Sequence, residues 1–552
     1  MNNRNYKWIL PELKTNKNII ENLLEIRGIK SEKDKKEFLN PTFPENISLE
    51  EFGLEKKSVN LAIDRIKKAK ENSEEVVVYG DYDADGITGT AIMWETLYEY
   101  GLKVMPYIPN RFDEGYGFNV ESVKKLKEKY PNLKLIITVD HGIVSGDKIE
   151  EINSLGIEVI LTDHHQPEKE LPPAYTIVHS TKICGSAVSW VLARELRKNL
   201  DIKPYFGNGL ELAGIGTIAD QMVLIGPNRS FAKYGLESLN NTKRPGLLCL
   251  IKEAGLKPGF IKTFEMNFAI APRINASGRM SHAMESLQLI CTRKEDRAIE
   301  LAKHLNNVNY ERQNLLEEIY KDAREKLKEN NNKILMIADE KYNEGIIGLA
   351  ASRLVEEYYR PVIVLSKNEN ESKASARSIS GFNIIEAIRK LEKLYKQGGG
   401  HPMAAGFSIE TKNIDEFEKM INENSDNLLT EEVLTRKINI DLKIDFSDIS
   451  PEVLKNLKKF EPVGMGNPAP VFVVENAKVV DFKMLGKDSN HLKLRLEQGG
   501  IMFEAIFFRY GGDQQMFSED VGFDFVFNLD ENTYQGVTTT QLRVKDLRIH
   551  GQ

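Results

Sequence analysis

The 552-residue sequence predicts a multidomain α/β protein: a parallel-sheet domain joined by a long helix to a second α/β domain, followed by a C-terminal β-barrel. Three observations predict it. Apolar runs of strand length alternate with amphipathic helical stretches from about residue 55 to 225, the pattern of a parallel sheet wrapped by helices. From Arg297 to Lys328 apolar residues recur at Leu301, Leu305, Val308, Leu315, Ile319, Ala323 and Leu327, which describes one long amphipathic helix. After about residue 430 short strand patterns follow one another: KINIDLKID, VFVVENAKVVDF, HLKLRL, IMFEAIFF, FDFVFNL and QLRVKDLRI.

Taken in order, residues 1–50 form an N-terminal segment and residues 51–296 the first domain, with its clearest strands at Glu75 to Tyr79, Leu135 to Val139 and Glu158 to Leu161. The connecting helix covers 297–330 and ends in the polar stretch Glu329-Asn330-Asn331-Asn332. A second α/β domain, 331–428, opens with a strand at Ile334 to Ala338, a helix at Gly345 to Leu354 and a strand at Pro361 to Leu365, and it closes on the Gly-rich turn Gln397 to His401. The barrel takes 429–552.

Composition narrows the setting. A net charge of −7 excludes a molecule that binds nucleic acid through its overall charge, though a local basic channel remains compatible with it. The cysteines, Cys184, Cys249 and Cys291, form no CxxC pair and read as reduced thiols of a cytoplasmic protein, with Cys184 packing a helix. No run of eighteen apolar residues occurs, so no membrane role is expected.

The stretch VVVYGDYDADG drives an apolar strand into Asp81, Asp83 and Asp85. At a separation of roughly 5 Å and an effective dielectric of about 20, each ionised pair would cost about 3 kcal/mol. A proton, an arginine or a divalent cation could offset that cost. Two further strands end in acids: LKLIITVD at Asp140 and IEVILTDHH at Asp163, His164 and His165. Carboxyl ends of parallel strands line one crevice, so three coincident acidic ends point to a metal site, with Asp220 in GIGTIADQM as a further acid. Carboxylate with imidazole and no thiolate suits Mn²⁺ or Mg²⁺.

In that order and spacing, GDYDADG, TVDHG, TDHH and GTIAD resemble the signature of the DHH phosphoesterase superfamily, and within it the RecJ family of single-strand-specific exonucleases. PNRFDEGYG (109–117), APRINASGR (271–279), SARS (375–378), GGGHPMAAG (398–406) and FEPVGMGNPAPVF (460–472) extend the resemblance from about residue 50 to the C-terminus. Two positions depart from it: Tyr79 stands where some superfamily members carry a metal-binding histidine, and His141 where many relatives carry cysteine.

The resemblance implies a two-metal centre of Mn²⁺ or Mg²⁺ held by Asp83, Asp85, Asp140, His164 and Asp220, with one carboxylate bridging. Asp81, Asp163 and His165 surround it, and His165 serves the scissile phosphate or the leaving oxygen. His141 is expected to support the ligands rather than to be one. Arg111, Arg279, Ser375 and Arg377 match a pocket for a 5′-terminal phosphate, and Gly399, Gly400 and His401 a cradle for a backbone phosphate. The barrel would be an OB-fold gripping single strands, with Lys455, Lys458, Lys459, His491, Lys493 and Arg495 as candidate cations or as ordinary solvated surface. The implied function is 5′→3′ exonucleolytic hydrolysis of single-stranded DNA to 5′-mononucleotides in repair and recombination. A DHH phosphodiesterase of short oligonucleotides or cyclic dinucleotides, and a non-catalytic nucleic-acid scaffold, are the alternatives. A single-strand-binding protein or a helicase are the implied protein partners. A cut after Asn427 is expected to spare the catalytic centre.

Overall fold

The Val-rich run that enters the aspartates is the centre of a parallel sheet, and its sequence says why. EVVVYG (Glu75–Gly80) has β-branched residues on both faces, and all of its apolar side chains are buried. In the computed structural model, which describes residues 6–11, 18–111, 113–115, 117–486, 489–512, 516–517, 521–534 and 537–551, the five strands lie in the order Lys103–Tyr107, Glu75–Gly80, Leu133–Val139, Glu158–Asp163 and Thr176–His179. All the pairings are parallel. Helix Ala84–Glu99 leaves the Glu75–Gly80 strand through the acidic loop and packs on helices Gly185–Leu200 and Leu210–Ala219. The three strands with acidic ends are neighbours in the sheet, as the alternating pattern predicts.

This sheet belongs to a compact unit formed by Ser31–Arg312 together with Phe460–Pro468. Arg229, 1% exposed, explains why the second segment belongs there. Its guanidinium donates to the carbonyls of Phe38 (2.7 Å), Phe460 (3.2 Å), Glu461 (3.0 Å) and Pro462 (3.2 Å) and lies 4.1 Å from the centre of the Phe38 ring. Asn467 closes the segment on itself through the carbonyls of Phe460 and Pro462, and Met465 accepts the Leu224 N–H at 2.8 Å. A cut after Asn427 would therefore strip part of the unit that carries the acidic strand ends, contrary to the expectation that it spares the catalytic centre.

The other unit holds the residues up to Lys30, Gln313–Lys459 and Ala469–Gln552. Its α/β portion is a five-stranded sheet in the order Tyr395–His401, Ala404–Glu410, Glu371–Arg377, Val362–Ser366 and Leu335–Asp339, with only the last pair parallel. The Gly-rich stretch predicted as a turn is instead the edge strand Tyr395–His401 of this sheet, paired antiparallel with Ala404–Glu410. Glycines fit an edge whose partner strand approaches closely.

The barrel strands Phe472–Leu485, His491–Gln498, Ile501–Phe507, Val537–Ile549 and Gly522–Tyr534 close on themselves through pairing of the first with the last. Closure removes free sheet edges. KINIDLKID, predicted as a strand, contributes only the short pieces Lys437–Asn439 and Leu442–Lys443, and the first of these pairs with Lys7–Ile9. Two of the candidate groove cations are engaged at the surface: Lys458 with Glu531 at 2.8 Å and Lys493 with Glu504 at 2.9 Å. The long helix spans Glu295–Lys326, acidic at its start and basic at its end as its dipole favours. No helix among the described residues is long and apolar enough to cross a membrane.

Candidate metal centre

The acidic loop is shaped by its own first turn. Asp83 caps helix Ala84–Glu99, its Oδ1 accepting the N–H groups of Asp85 (2.9 Å) and Gly86 (3.0 Å). The capping residue is thus also a candidate ligand. Asp85 is held from the opposite side by the N-terminus of helix Gly185–Leu200, whose Gly185 and Ser186 N–H groups donate to its two oxygens at 2.7 and 3.0 Å. Gly185 is required there, since a Cβ would stand 2.6 Å from Asp140. Asp140 ends its strand in the left-handed region at φ 67°, a conformation that aspartate tolerates better than most residues and that is concentrated at functional sites.

The structure brings three sets of ligand atoms together. Asp81, Asp83 and Asp140 form one, Asp140, His164 and His165 a second, and Asp85, His164 and Asp220 a third, each with its ligand atoms within 4.8 Å of one another. Asp140 and His164 are shared between sets, so the three sets form one contiguous cluster. His164 Nε2 stands 3.1 Å from Asp140, 3.8 Å from Asp220 and 3.9 Å from Asp85. Asp163 differs: its oxygens accept the N–H groups of Ile143 (2.9 Å), His164 (2.7 Å) and His165 (3.2 Å) and the Nδ1 of His165 (2.8 Å). It anchors the His164–His165 backbone and orients the His165 ring.

The electrostatics answer the question the three aspartates raise. Burial and then the charge of Asp83 hold the Asp81 carboxyl well above the usual carboxylate range, and burial with Asp85 raises that of Asp83. Asp140 is raised by burial and by Asp85, Asp83 and Asp81, and Asp220 is pushed up to about 8 by burial and by Asp85 and Asp83. Arg111 and Arg279 draw Asp81 and Asp83 the other way without overcoming this. Buried Asp81 Oδ1 has no hydrogen-bond partner among the described residues. An acceptor-only cluster at this density fits divalent cations, which replace the protons that the acids would otherwise retain. Burial also raises Asp163, but the hydrogen bond and charge of His165 outweigh it and bring Asp163 to about 2. The same pairing outweighs the burial of His165 and raises its pKa.

A cavity of about 230 Å³ opens on the cluster, lined by Asp81, Asp83, Asp140, His164, His165 and Asp220 and also by Arg111 and Arg279. The Arg111 guanidinium lies 5.2 Å from the centre of the Tyr82 ring. Its loop is tied by Glu114, which accepts from the Asn110 N–H (2.9 Å), the Tyr107 hydroxyl (2.5 Å) and the Ser122 hydroxyl. Phe112 and Tyr116 of the same motif lie outside the described residues.

His141 is buried away from the ligand sets, its Nε2 donating to the Tyr79 carbonyl at 2.9 Å and its ring meeting Tyr79 and Phe118 edge-on. Burial lowers its pKa to about 4. Ser375, Arg377, Gly399, Gly400 and His401 belong to the other unit. There Arg377 Nη1 donates to Ser375 Oγ (3.1 Å) and to the Ala376 carbonyl (2.8 Å), while Gly399, Gly400 and His401 lie exposed on the edge strand.

Three cavity residues escape the sequence reading: Tyr82, Asn275 and Gly278. Asn275 and Arg279 are four apart in helix Ala271–Met280, so a helical reading of APRINASGR would have put them on one face. Asn275 Oδ1 accepts the Ala84 N–H at 2.6 Å, and a Cβ on Gly278 would come within 2.5 Å of the Tyr82 carbonyl.

Comparison with known proteins agrees with this geometry. Residues 75–215 match the DHH family N-terminal domain, 331–425 the DHHA1 domain and 440–546 the RecJ OB domain. The chain is 35% identical over 508 residues to the single-stranded-DNA-specific exonuclease RecJ of Bacillus subtilis, covering 90% of this chain and 64% of that protein. It is 30% identical over 531 residues to the Haemophilus influenzae protein of the same name, covering 90% of each. The crystal structure of Thermus thermophilus RecJ in complex with Mn²⁺ superposes with a TM-score of 0.84 at 28% identity, over 99% of this chain and 80% of that one. The Mg²⁺ complex of the same protein gives 0.78 at 27%, over 99% and 79%. An acidic two-histidine crevice at the carboxyl ends of a parallel sheet, followed by a DHHA1 region and an OB barrel, places this chain in the RecJ family.

Proposed function

We propose that the protein is a metal-dependent exonuclease that hydrolyses single-stranded DNA from the 5′ end and releases 5′-mononucleotides. The observation that carries it is the sharing of Asp140 and His164 among ligand sets at three adjacent strand ends. Asp83, Asp85, Asp140, His164 and Asp220 would hold the cations, with Asp81 grouped beside Asp83 and Asp140, and His165 beside Asp140 and His164. Mn²⁺ or Mg²⁺ bound there supplies Lewis acidity toward the phosphodiester and its attacking water.

The chain's own groups do the rest. Asp163 fixes His165 through Nδ1 and stabilises its protonated form, which suits it to deliver a proton to the 3′-oxygen leaving from the released nucleotide. Arg111 and Arg279 grip phosphate oxygens at the cavity wall. In the other unit, Ser375, Arg377, Gly399, Gly400 and His401 offer phosphate-binding donors of their own. The barrel binds the strand, as its match to the RecJ OB domain supports. Free cysteines suit the reducing cytoplasm. A single-strand-binding protein or a helicase is the favoured partner class, because each presents or generates the strand consumed.

The deciding experiment compares a 5′-labelled with a 3′-labelled single strand in Mn²⁺. The 5′ label should leave first, as a mononucleotide. Prior loss of the 3′ label, or no hydrolysis at all, would overturn the reading.

A further inference from the structure

Thr263–Glu265, the wider π turn Met266–Ile270 and the α-helix Ala271–Met280 form one continuous helical run. Its far end brings Asn275, Gly278 and Arg279 to the metal cavity. Its near end leaves Phe264 and Phe268 in water, 59% and 68% exposed, with ring centres 4.7 Å apart and planes tilted by 35°. Such π turns are uncommon and concentrate at functional sites.

Two guanidinium groups lie along this run, whose first turn also carries Glu265. Arg273 Nε donates to Asn306 (3.0 Å) and Nη1 to the Ala269 carbonyl (2.7 Å), while Arg312 donates to Asn309 (3.2 Å). Neither guanidinium is paired with a carboxylate among the described residues, and burial, with the charge of Arg273, lowers the pKa of Arg312. Tyr310, one helical turn beyond Asn306, is 62% exposed. Guanidinium groups bonded only to neutral oxygens keep their charge for an external anion. Exposed rings beside them suit planar groups borne on a polyanion, which is what an unpaired nucleic-acid strand offers and a base-paired duplex does not.

We propose that Phe264, Phe268 and Tyr310 form a stacking platform for unpaired bases of the substrate, with Arg273 taking an intervening phosphate. The inference rests on the nuclease reading and extends it to the strand on the 3′ side of the cut. From Phe268 to Arg279 the helix advances roughly 15 Å, so the platform serves nucleotides a short way from the scissile bond. It makes single-strand preference partly a matter of attraction, since only unpaired bases can stack on it.

The test uses full-length protein and the F264A/F268A double variant. Binding in EDTA is measured for a long single strand and for the same strand with its internal bases removed, and hydrolysis in Mn²⁺ for a dinucleotide. The variant should bind the intact strand at least fivefold more weakly, bind the abasic strand as wild type does, and hydrolyse the dinucleotide unchanged. Arg273→Gln should make the salt dependence of strand binding shallower by about 0.7 in log–log slope. Equal affinity of variant and wild type for the intact strand, or equal losses on intact and abasic strands, would overturn the platform. A wild type that binds strands but hydrolyses none would instead overturn the nuclease reading, and the binding comparison would still decide the platform.

Discussion

Asn275 accepts the N–H of Ala84 at 2.6 Å across 191 residues of chain, so the helix that carries Arg279 also holds the loop that carries Asp81, Asp83 and Asp85. Arg279 and the candidate metal ligands share one support. Asn275→Ala should weaken Mn²⁺ binding, read by calorimetry, and lower turnover on the order of tenfold while the fold survives. Unchanged Mn²⁺ affinity would mean that the loop holds its shape without Asn275.

Asp140 belongs to two of the three ligand sets. Asp140→Ala should cost on the order of 10³-fold in rate, because losing a shared carboxylate forfeits transition-state stabilisation from both neighbouring sets. Turnover near wild type in a variant verified to be folded would sink the two-metal assignment.

Without metal, the cluster should make stability fall as pH rises from 6.5 to 8. Asp220, pushed up to about 8, and Asp81 and Asp140, raised by burial and by one another, bind more protons in the folded than in the unfolded chain across that window, so raising the pH favours unfolding. His165, also raised, acts in the same direction. His141 and His164 are lowered by burial and act the opposite way, but only below the unfolded histidine value of about 6.5. Thermal melts in EDTA should show the decline, and Mn²⁺ should abolish it. A flat or rising profile in EDTA would contradict the burial of uncompensated acids.

Arg279 lines the cavity that Arg111 also faces. A strand with a 5′-phosphate should be degraded faster than one with a 5′-hydroxyl, and Arg279→Ala should narrow the difference. Equal rates on both ends in the wild type would remove the terminal-phosphate role.

Arg229 donates to four carbonyl oxygens of Phe38 and of the segment Phe460–Pro468. Arg229→Ala should destabilise the catalytic unit by about 3 kcal/mol, since it leaves those buried carbonyls unsatisfied, yet spare turnover at low temperature. A melting temperature equal to wild type would show that segment Phe460–Pro468 is held by other contacts.

Much of this was legible in the sequence because the deciding features are local. Val and Ile runs form strands wherever a parallel sheet buries both faces, and the runs at Glu75, Leu133 and Glu158 lie side by side as their alternation with helices predicts. Acids placed just past strand ends must meet at one sheet edge, so the crevice of Asp81, Asp140 and Asp163 follows from register alone. The long helix declared itself through its period. What only the tertiary structure decided are the contacts between residues distant in sequence. The hold of Asn275 on the acidic loop, the return of Phe460–Pro468 to Arg229, and the sharing of Asp140 and His164 among ligand sets have no periodic trace. Gln397 to His401 reads as a turn because glycine is permissive, and it became a strand because Ala404–Glu410 supplied the hydrogen bonds. Local sequence sets the conformation that a segment prefers, whereas packing selects which distant partner satisfies its buried polar groups, and here that selection built the metal centre.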